Sequence, residues 1–247
     1  MHNQFKYFIA SGCSFTANKC WPYFLNERLK FDHYKNYGLI SSGNGRISRS
    51  IIYGVDKALK THQPEDILVG IMWSSFSRHD IFKEQVDESK IWHHSDNVNP
   101  TNFVDGADKN WILIHSGQED TYSTNYYKYF YDDINDIILT LEHILRVQWY
   151  LCSKGIKYFM TTFSKGVLPT EKEKNNVNVQ YLYNMVDWSK FLPIPSCLEW
   201  VEKCPIPMDS RELEFPFEYR HPSTLQHEYF TRAVVIPFIK ENYFKKD

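Results

Sequence analysis

The sequence lacks the features that define several classes of protein. No apolar run approaches the ~18 residues that a membrane-spanning helix needs. The first residues, from Met1 to Gln4, lack the basic and then apolar pattern of a secretory signal peptide. The five cysteines are an odd, scattered set without C-x-x-C spacing, which is typical of reduced thiols in an intracellular protein. These absences predict a cytoplasmic protein without a membrane span.

The sequence also has no excess of positive charge and no metal-binding motif. Its 28 basic and 30 acidic residues give a formal net charge of -2, which argues against a nucleic-acid partner. Five residues would suit a metal chemically, but none of them has the spacing of a known metal motif; they are His33, His79, Asp80, His93 and His94. We therefore predict no metal and no cofactor.

The composition that is present fits one globular domain. A chain of 247 residues can bury a substantial core, and a single α/β domain over residues 1–247 is the simplest organisation. Aromatic residues make up 17% of the chain. Carbohydrate-binding surfaces would explain this content, but a general coding bias toward Tyr, Phe, Asn, Lys and Ile explains it more simply.

Hydrophobic patterning predicts alternating strands and helices in the first third of the chain. Residues 5–10, 34–40 and 66–73 are predicted as strands, and the last of these is the strongest buried-strand signal. Between them, apolar residues recur at three- and four-residue spacing from Trp21 to Leu29 and from Arg46 to Thr61, as in helices. This order favours parallel strands joined by right-handed crossovers.

The rest of the chain continues the same pattern between two irregular segments. A long amphipathic helix begins at about Asp132 and is closed by Gly155, and a fourth strand follows at residues 156–163. A fifth short strand is predicted at residues 188–192, and a closing helix at 224–243 is interrupted by Pro237. The irregular segments are predicted insertions; they span residues 81–126 and 164–214.

Polar residues follow the predicted strands at the edge where parallel sheets bind ligands. Ser14 stands in the turn after the first strand, where it is either a nucleophile or an ordinary helix cap. Gly43-Asn44-Gly45 follows the second strand and lacks the full pattern of a phosphate-binding loop. Trp73-Ser74-Ser75 ends the third strand, and Glu218 to Ser223 precedes the closing helix.

Together these motifs resemble the SGNH (GDSL-like) hydrolase family. Gly12-Cys13-Ser14, the Gly43-Asn44-Gly45 turn and Glu218-x-x-His221 stand in that family's order and strand contexts over nearly the whole chain. The resemblance implies a flavodoxin-like, three-layer α/β/α fold with a central parallel sheet of about five strands. It also implies Ser14 as the nucleophile, His221 as the general base, and Glu218 as the carboxylate that orients His221, where the family usually has Asp.

The third block departs from the family pattern. The family forms its oxyanion hole from the nucleophile's N–H, here Ser14, the N–H of a second-block glycine and a third-block Asn side chain. We assign the glycine to Gly43, with Gly45 as the alternative. Met72 stands at that third position. A missing oxyanion donor costs about 2.7–4 kcal/mol of transition-state stabilisation, so we expect Asn44 or Ser74 to substitute for it.

The resemblance implies a serine esterase that works through an acyl-enzyme on a small-molecule or carbohydrate ester, for example as a carbohydrate O-deacetylase. Trp73 and Arg78 are the predicted substrate-binding residues, although Arg78 is equally well explained as an ordinary solvated arginine. Two alternative functions also fit the sequence. One is a binding or structural protein of the same fold with weakened catalysis, and the other is an acyltransferase.

Overall fold

A parallel β-sheet lies at the centre of the protein. The computed structural model describes residues 4–84, 111–194, 196–208 and 220–244. Its helices and strands are β1 (Tyr7–Ser11), α1 (Trp21–Leu29), β2 (His33–Asn36), α2 (Asn44–Ala58), β3 (Ile67–Trp73), β4 (His79–Phe82), β5 (Trp111–Ile114), α3 (Thr121–Tyr129), α4 (Asp133–Ser153), β6 (Lys157–Thr162), α5 (Val177–Met185), α6 (Cys197–Glu202), α7 (Thr224–Phe230) and α8 (Ile236–Tyr243).

Within the described residues the sheet has four strands in the order β2-β1-β3-β6, and all of the pairs between them are parallel. The α/β class and the parallel pairing predicted from the sequence are therefore confirmed. Every residue of β3 is buried, as expected of an inner strand covered on both faces. Parallel pairing brings the carboxyl ends of β1 and β3 to one edge, where Ser11 pairs with Ile71.

The described residues do not form the predicted fifth strand. Residues Trp188–Lys190 form a 3₁₀ turn, because the Asp187 carboxylate accepts the Ser189 N–H at 3.1 Å and stabilises a tight bend. A single parallel bridge follows in the described part of this segment, between Phe191 and Met160. The segment thus extends the sheet by a single residue pair.

Helices cover both faces of the sheet because successive strand residues point to opposite sides. On one face, the Trp21 ring of α1 contacts Phe8 of β1 and Phe159 of β6, with ring centroids 6.2 and 5.6 Å apart. On the other face, Ser11 of β1 shares a hydrogen bond of 2.7 Å with Ser50 of α2. The helix α4 packs beside α2.

The predicted insertion at residues 81–126 is partly regular. The strand β4 lies before most of it and pairs antiparallel with β5, as a small separate sheet. The helix α3 follows and is capped by Asp120, whose carboxylate accepts the Tyr122 and Ser123 N–H groups at 2.9 Å. Residues 85–110 lie outside the described residues.

The predicted helix ends are explained by local chemistry. Gly155 follows α4 with a φ of 71°, in the left-handed region that favours glycine, as predicted. At the C-terminal end, α7 continues through a π-helical turn, Thr231–Val235, into α8. Because Pro237 lacks an N–H and its ring crowds the carbonyl four residues earlier, the wider π turn accommodates it without breaking the helix.

Substitution of Gly70 tests the packing of the sheet face beneath α1. A Cβ at Gly70 would lie 2.7 Å from both Trp21 Cη2 and Phe159 Cζ, and both rings are fully buried. We expect Gly70→Ala to lower the free energy of unfolding in urea by about 1–3 kcal/mol. Gly166→Ala is the matched control, because its nearest heavy atom would be Ser164 Oγ at 3.9 Å. Equal stability of the two variants would contradict this account.

Candidate functional site

The turn after β1 holds Ser14 at the carboxyl edge of the sheet. The Cys13 carbonyl accepts the N–H groups of Thr16 and Ala17 at 2.9 and 3.1 Å, which closes a tight turn over Ser14. Gly12 is needed at the start of this turn because a Cβ there would collide with the Thr16 side chain and lie 2.9 Å from the Met72 carbonyl oxygen. The position of Ser14 thus depends on close contact between this turn and β3.

The structure brings Ser14 and His221 together from distant parts of the sequence. The Ser14 Oγ and the His221 Nε2 lie 2.9 Å apart, within hydrogen-bond distance. Ser14 is half-buried and His221 is exposed, so solvent reaches the pair. The Phe15 ring lies beside the imidazole of His221 with centroids 5.0 Å apart.

The start of α7 positions His221. Ser223 and Gln226 form a capping box, in which the Ser223 Oγ accepts the Gln226 N–H and the Gln226 side chain accepts the Ser223 N–H. Pro222, between His221 and this cap, is buried. His221 is therefore held two residues before a stabilised helix end. Glu218, the predicted third member of a triad, lies outside the described residues.

A second histidine lies behind the pair and is buried. Burial, and secondarily the nearby His221, lower the pKa of His227 to about 3. Its Nδ1 is buried and has no hydrogen-bond partner among the described residues. The Phe15 ring contacts His227 edge-on at 6.2 Å. His227 is thus neutral at pH 7 and forms part of the floor beneath the site.

The backbone of Ser14 and Gly43 offers two N–H donors at this edge. In the described part of the chain, neither N–H donates a hydrogen bond to another protein group. Gly43 precedes α2, and a Cβ there would lie 2.5 Å from the carbonyl oxygen of Arg78. This close approach explains the glycine, because any side chain would push the Gly43 turn away from the backbone that follows β3.

Asn44 and Ser74 are joined by a two-way hydrogen bond. The Asn44 side chain donates to the Ser74 carbonyl at 3.0 Å and accepts the Ser74 N–H at 2.8 Å. Its second amide hydrogen is donated to Thr140 Oγ1 at 3.1 Å. In this arrangement neither amide hydrogen of Asn44 is available to an oxyanion. The pair instead fixes the end of β3 against the start of α2.

The other predicted residues of β3 lie in the core. Met72 and Trp73 are fully buried, and the Trp73 indole N–H donates to the Met160 sulfur at 3.4 Å. Burial therefore keeps Trp73 from the surface that a ligand would reach. Ser74 is also fully buried, and its Oγ accepts a hydrogen bond from Arg78 Nη1 at 3.2 Å.

Arg78 lines a cleft of about 310 Å³ beside Asn44. Its guanidinium lies 5.9 Å from the centre of the Phe163 ring, which in turn contacts Phe15 at 5.3 Å. Two ring contacts thus connect the cleft with the side chain beside His221. Arg78 thus lies near the ends of the strands, in the wall of this cleft.

Three cleft residues had no signal in the sequence. Arg49 of α2 and Arg146 of α4 line the cleft, as does Trp111 of β5. Each of the two arginines stands on the polar side of an amphipathic helix, as many solvated arginines do. Only the packing of α2 beside α4 shows that they face a shared space.

The sequence also gave no sign of a histidine–aspartate pair at the cleft wall. His79 Nε2 lies 2.8 Å from a carboxylate oxygen of fully buried Asp136, which also accepts the Tyr126 hydroxyl at 3.1 Å. The two partners are 57 positions apart in the chain, so spacing gave no indication of the pair. His79 and Asp80 are two of the residues that would suit a metal chemically. Within the described ranges, no group of three or more His, Cys, Asp or Glu residues is arranged to hold a metal ion.

Replacement of His227 tests its burial in the neutral form. Below pH 6.5 an unfolded chain protonates this histidine, whereas the folded chain does so only near pH 3. The neutral imidazole's contribution to the free energy of unfolding is therefore fully present above pH 6.5. It is lost as the pH falls toward 3, by up to about 1.4 kcal/mol per pH unit. We measure the free energy of unfolding in urea at several pH values between 6.5 and 4, and we expect His227→Leu to make its decrease with falling pH less steep. An unchanged slope would contradict the burial of a neutral imidazole.

Comparison with protein families places the chain in one of them. The family model of DUF6071, described as a family of unknown function, matches residues 12–246, a span that includes Ser14 and His221. Searches against curated proteins and against solved structures gave no match in either case. No helix in the described part of the chain is long and apolar enough to cross a membrane. The chain belongs to the DUF6071 family of unknown function.

Proposed function

We propose that this protein is a serine hydrolase that cleaves ester bonds through a covalent acyl-enzyme. The observation that carries the proposal is the 2.9 Å separation of Ser14 Oγ and His221 Nε2 at the carboxyl edge of a parallel sheet. A serine hydroxyl is a weak nucleophile unless a neighbouring base removes its proton during attack. Histidine suits that role because its unperturbed pKa lies near neutral pH.

The first half of the reaction transfers the acyl group to the protein. Ser14 Oγ attacks the ester carbonyl carbon while its proton passes to His221 Nε2, and the carbonyl π electrons move to the oxygen. The resulting oxyanion accepts hydrogen bonds from the N–H groups of Ser14 and Gly43. As the oxyanion collapses, the bond to the alcohol oxygen breaks, and that oxygen takes the proton from His221.

The second half of the reaction releases the acid. Water loses a proton to His221 and attacks the acyl carbon, and the Ser14 oxygen then leaves and regains its proton. For His221 to accept a proton at Nε2, its Nδ1 must carry the other hydrogen. Glu218, three residues before His221, is proposed as the carboxylate that holds this tautomer, with one methylene more than the Asp of the SGNH family. No cofactor is needed for these steps.

The oxyanion hole is proposed to depend on backbone donors more than in the SGNH family. Met72 replaces the amide that the family uses, and both amide hydrogens of Asn44 bind protein oxygens. Asn44 and buried Ser74 then act indirectly, by keeping the Gly43 turn against the end of β3. An activity about 100- to 1000-fold below that of a site with all three donors follows from this loss.

A second candidate is a binding protein that retains the fold with little catalysis. The observation in its favour is the lost third donor, since Met72 is fully buried and offers no N–H from its side chain. Acyl transfer to an alcohol is a further alternative, because the same acyl-enzyme serves both reactions. Analysis of products with and without an added acceptor alcohol separates transfer from hydrolysis.

Labelling with a fluorophosphonate tests the nucleophile directly. Ser14 Oγ should displace fluoride and form a covalent phosphonyl adduct that mass spectrometry locates on this residue. Ser14→Ala should abolish labelling, and His221→Ala should slow it by at least about 100-fold because the base contributes that much. Ser153→Ala, at the exposed end of α4, is the matched control and should label normally. Absence of any adduct on Ser14 in the folded wild-type protein would contradict the proposal.

Hydrolysis of a panel of short acyl esters, including O-acetylated sugars, tests turnover. Ser14→Ala and His221→Ala should each reduce kcat at least about 1000-fold, because the nucleophile and the base act together and neither is effective without the other. Labelling of Ser14 without turnover of any ester would favour the binding protein.

Asn44→Ala separates a structural role from a direct one. The substitution leaves the Ser74 N–H and carbonyl unpaired in the core, so the free energy of unfolding should fall by about 1–3 kcal/mol for each group left without a partner. At temperatures where the variant is folded, we expect kcat to fall by less than about 10-fold, because the backbone donors remain. A drop of about 100-fold or more with unchanged stability would instead identify Asn44 as an oxyanion donor.

A further inference from the structure

The cleft beside Asn44 concentrates positive charge from three separate parts of the chain. Arg49 comes from α2, Arg78 from the segment after β3, and Arg146 from α4. The only carboxylate among the described lining residues is that of Asp80. Without counting the two histidines, the described lining residues thus have a formal charge of +2, from three arginines and one aspartate. Like charges held this close repel one another unless a ligand or counter-ion offsets them.

Two of these arginines have no carboxylate partner within the described residues. Arg78 is partly buried, and its guanidinium contacts the Ser74 hydroxyl and the face of Phe163. Arg146 is exposed and forms no ion pair there. A guanidinium presents several N–H donors in a planar fork that matches the oxygens of a phosphate or carboxylate. The arrangement therefore offers donors toward the cleft from two sides.

The third arginine is held in place by an aromatic side chain. The Arg49 guanidinium lies over the Trp111 ring, 3.5 Å from its centre, and its Nη2 lies 3.5 Å from an Asp80 carboxylate oxygen. The same carboxylate accepts the Arg46 N–H at 2.7 Å, at the start of α2. Stacking and this ion pair limit the rotamers of Arg49, so that less entropy is lost when a ligand binds.

A histidine from α4 also lines the cleft and carries a buried polar atom without a partner among the described residues. This histidine is His143, and the atom is its Nδ1. Burial, together with Arg146 and Arg49, lowers the pKa of His143 to about 4, so it is neutral at pH 7. A buried polar atom without a partner is costly in a folded protein and is often explained by a ligand or water.

We propose that this cleft binds the phosphate group of a small molecule, with Arg78 and Arg146 as its direct ligands and Arg49 as a third cation stacked on Trp111. A phosphate dianion matches the formal charge of the lining, whereas a single carboxylate would leave half of it uncompensated. The cleft volume of about 310 Å³ accommodates a phosphate with a small organic group. Inorganic phosphate and phosphate esters share this chemistry.

The position of the cleft extends the proposal to the substrate of Ser14. The cleft is lined by Asn44 and Arg78, while Gly43 packs against the Arg78 backbone and Phe163 links Arg78 to Phe15. If Ser14 is the nucleophile, its ester substrate carries a phosphate group that this cleft recognises. This extension rests on the proposed function, whereas phosphate binding itself does not.

Calorimetric titration tests the binding site without any assay of catalysis. Inorganic phosphate and phenyl phosphate are titrated into the full-length protein at constant ionic strength, so that general screening stays fixed. We expect saturable binding of at least one of them to the wild-type protein. Arg78→Gln and Arg146→Gln should each raise Kd by about 10- to 100-fold, because each removes a charge-assisted contact. Tighter binding of phenyl phosphate would identify an ester as the preferred form.

Two controls keep the result interpretable. Arg232→Gln removes the same charge from an exposed helix position, where the guanidinium lies over Tyr229, and should leave Kd unchanged. Arg146 is exposed, so Arg146→Gln should fold normally even if Arg78→Gln does not. No saturable binding to the wild-type protein, or wild-type Kd values in a folded Arg146→Gln variant, would overturn the proposal.

A kinetic comparison tests the extension to the substrate. Acetyl esters of 4-hydroxyphenyl phosphate and of 4-methoxyphenol differ mainly in the phosphate group. Arg146→Gln should raise KM for the phosphorylated ester at least about 10-fold more than it raises KM for the neutral ester. Equal effects on both esters would overturn the extension. If neither ester is hydrolysed although phosphate binds, the proposed function fails and the binding site stands.

Discussion

Parallel pairing of β1 with β3 is the constraint on which the candidate site depends. It places the ends of both strands at one edge, so the turn after β1 packs against the backbone at the end of β3. The contact is so close that only glycine fits at position 12, where any Cβ would lie 2.9 Å from the Met72 carbonyl oxygen. Ser14 is held by this contact, and the last segment of the chain then needs only to bring His221 to it.

A buried side chain fixes the backbone beside the Ser14 turn. The Asn44 side chain spans the gap between α2 and β3 by pairing with both backbone groups of Ser74. A buried amide whose hydrogen bonds are all made contributes rigidity, because each bond it loses would leave a polar group unpaired in the core. Rigid placement of backbone N–H groups is what electrostatic stabilisation of an oxyanion requires.

A cationic cleft lies at the same edge of the sheet as the turn that holds Ser14. Its arginines come from α2, from α4 and from the segment after β3. Arg78 and Asn44 lie at the ends of the strands and also line the cleft. A buried Asp136 orients His79 at the cleft wall through a hydrogen bond of 2.8 Å. The turn that holds Ser14 and the cationic cleft thus both lie at the carboxyl edge of the sheet, where parallel α/β folds commonly bind ligands.

Local sequence patterns were sufficient for most of the regular structure. The apolar runs and glycines predicted β1, β3, α4 and the glycine after α4, because burial and left-handed backbone conformations each demand particular residue types. The prediction of a strand at residues 188–192 was wrong, since a carboxylate cap at Asp187 outweighed the aromatic content of the segment. Short apolar segments do not reveal such a competition between a turn and a strand.

By itself the sequence determined the class of the fold, the parallel order of the first strands and the candidacy of Ser14 and His221 as a pair. Tertiary structure decided which side chains are accessible and which are already bonded. Asn44 and Ser74 were suitable donors by residue type, yet the amide of one is committed to protein partners and the other is fully buried. The clustering of the arginines around one cleft was also determined only by the tertiary structure. In the sequence each arginine resembles a solvated residue, and only the packing of α2 beside α4 brings Arg49 and Arg146 to a shared cleft.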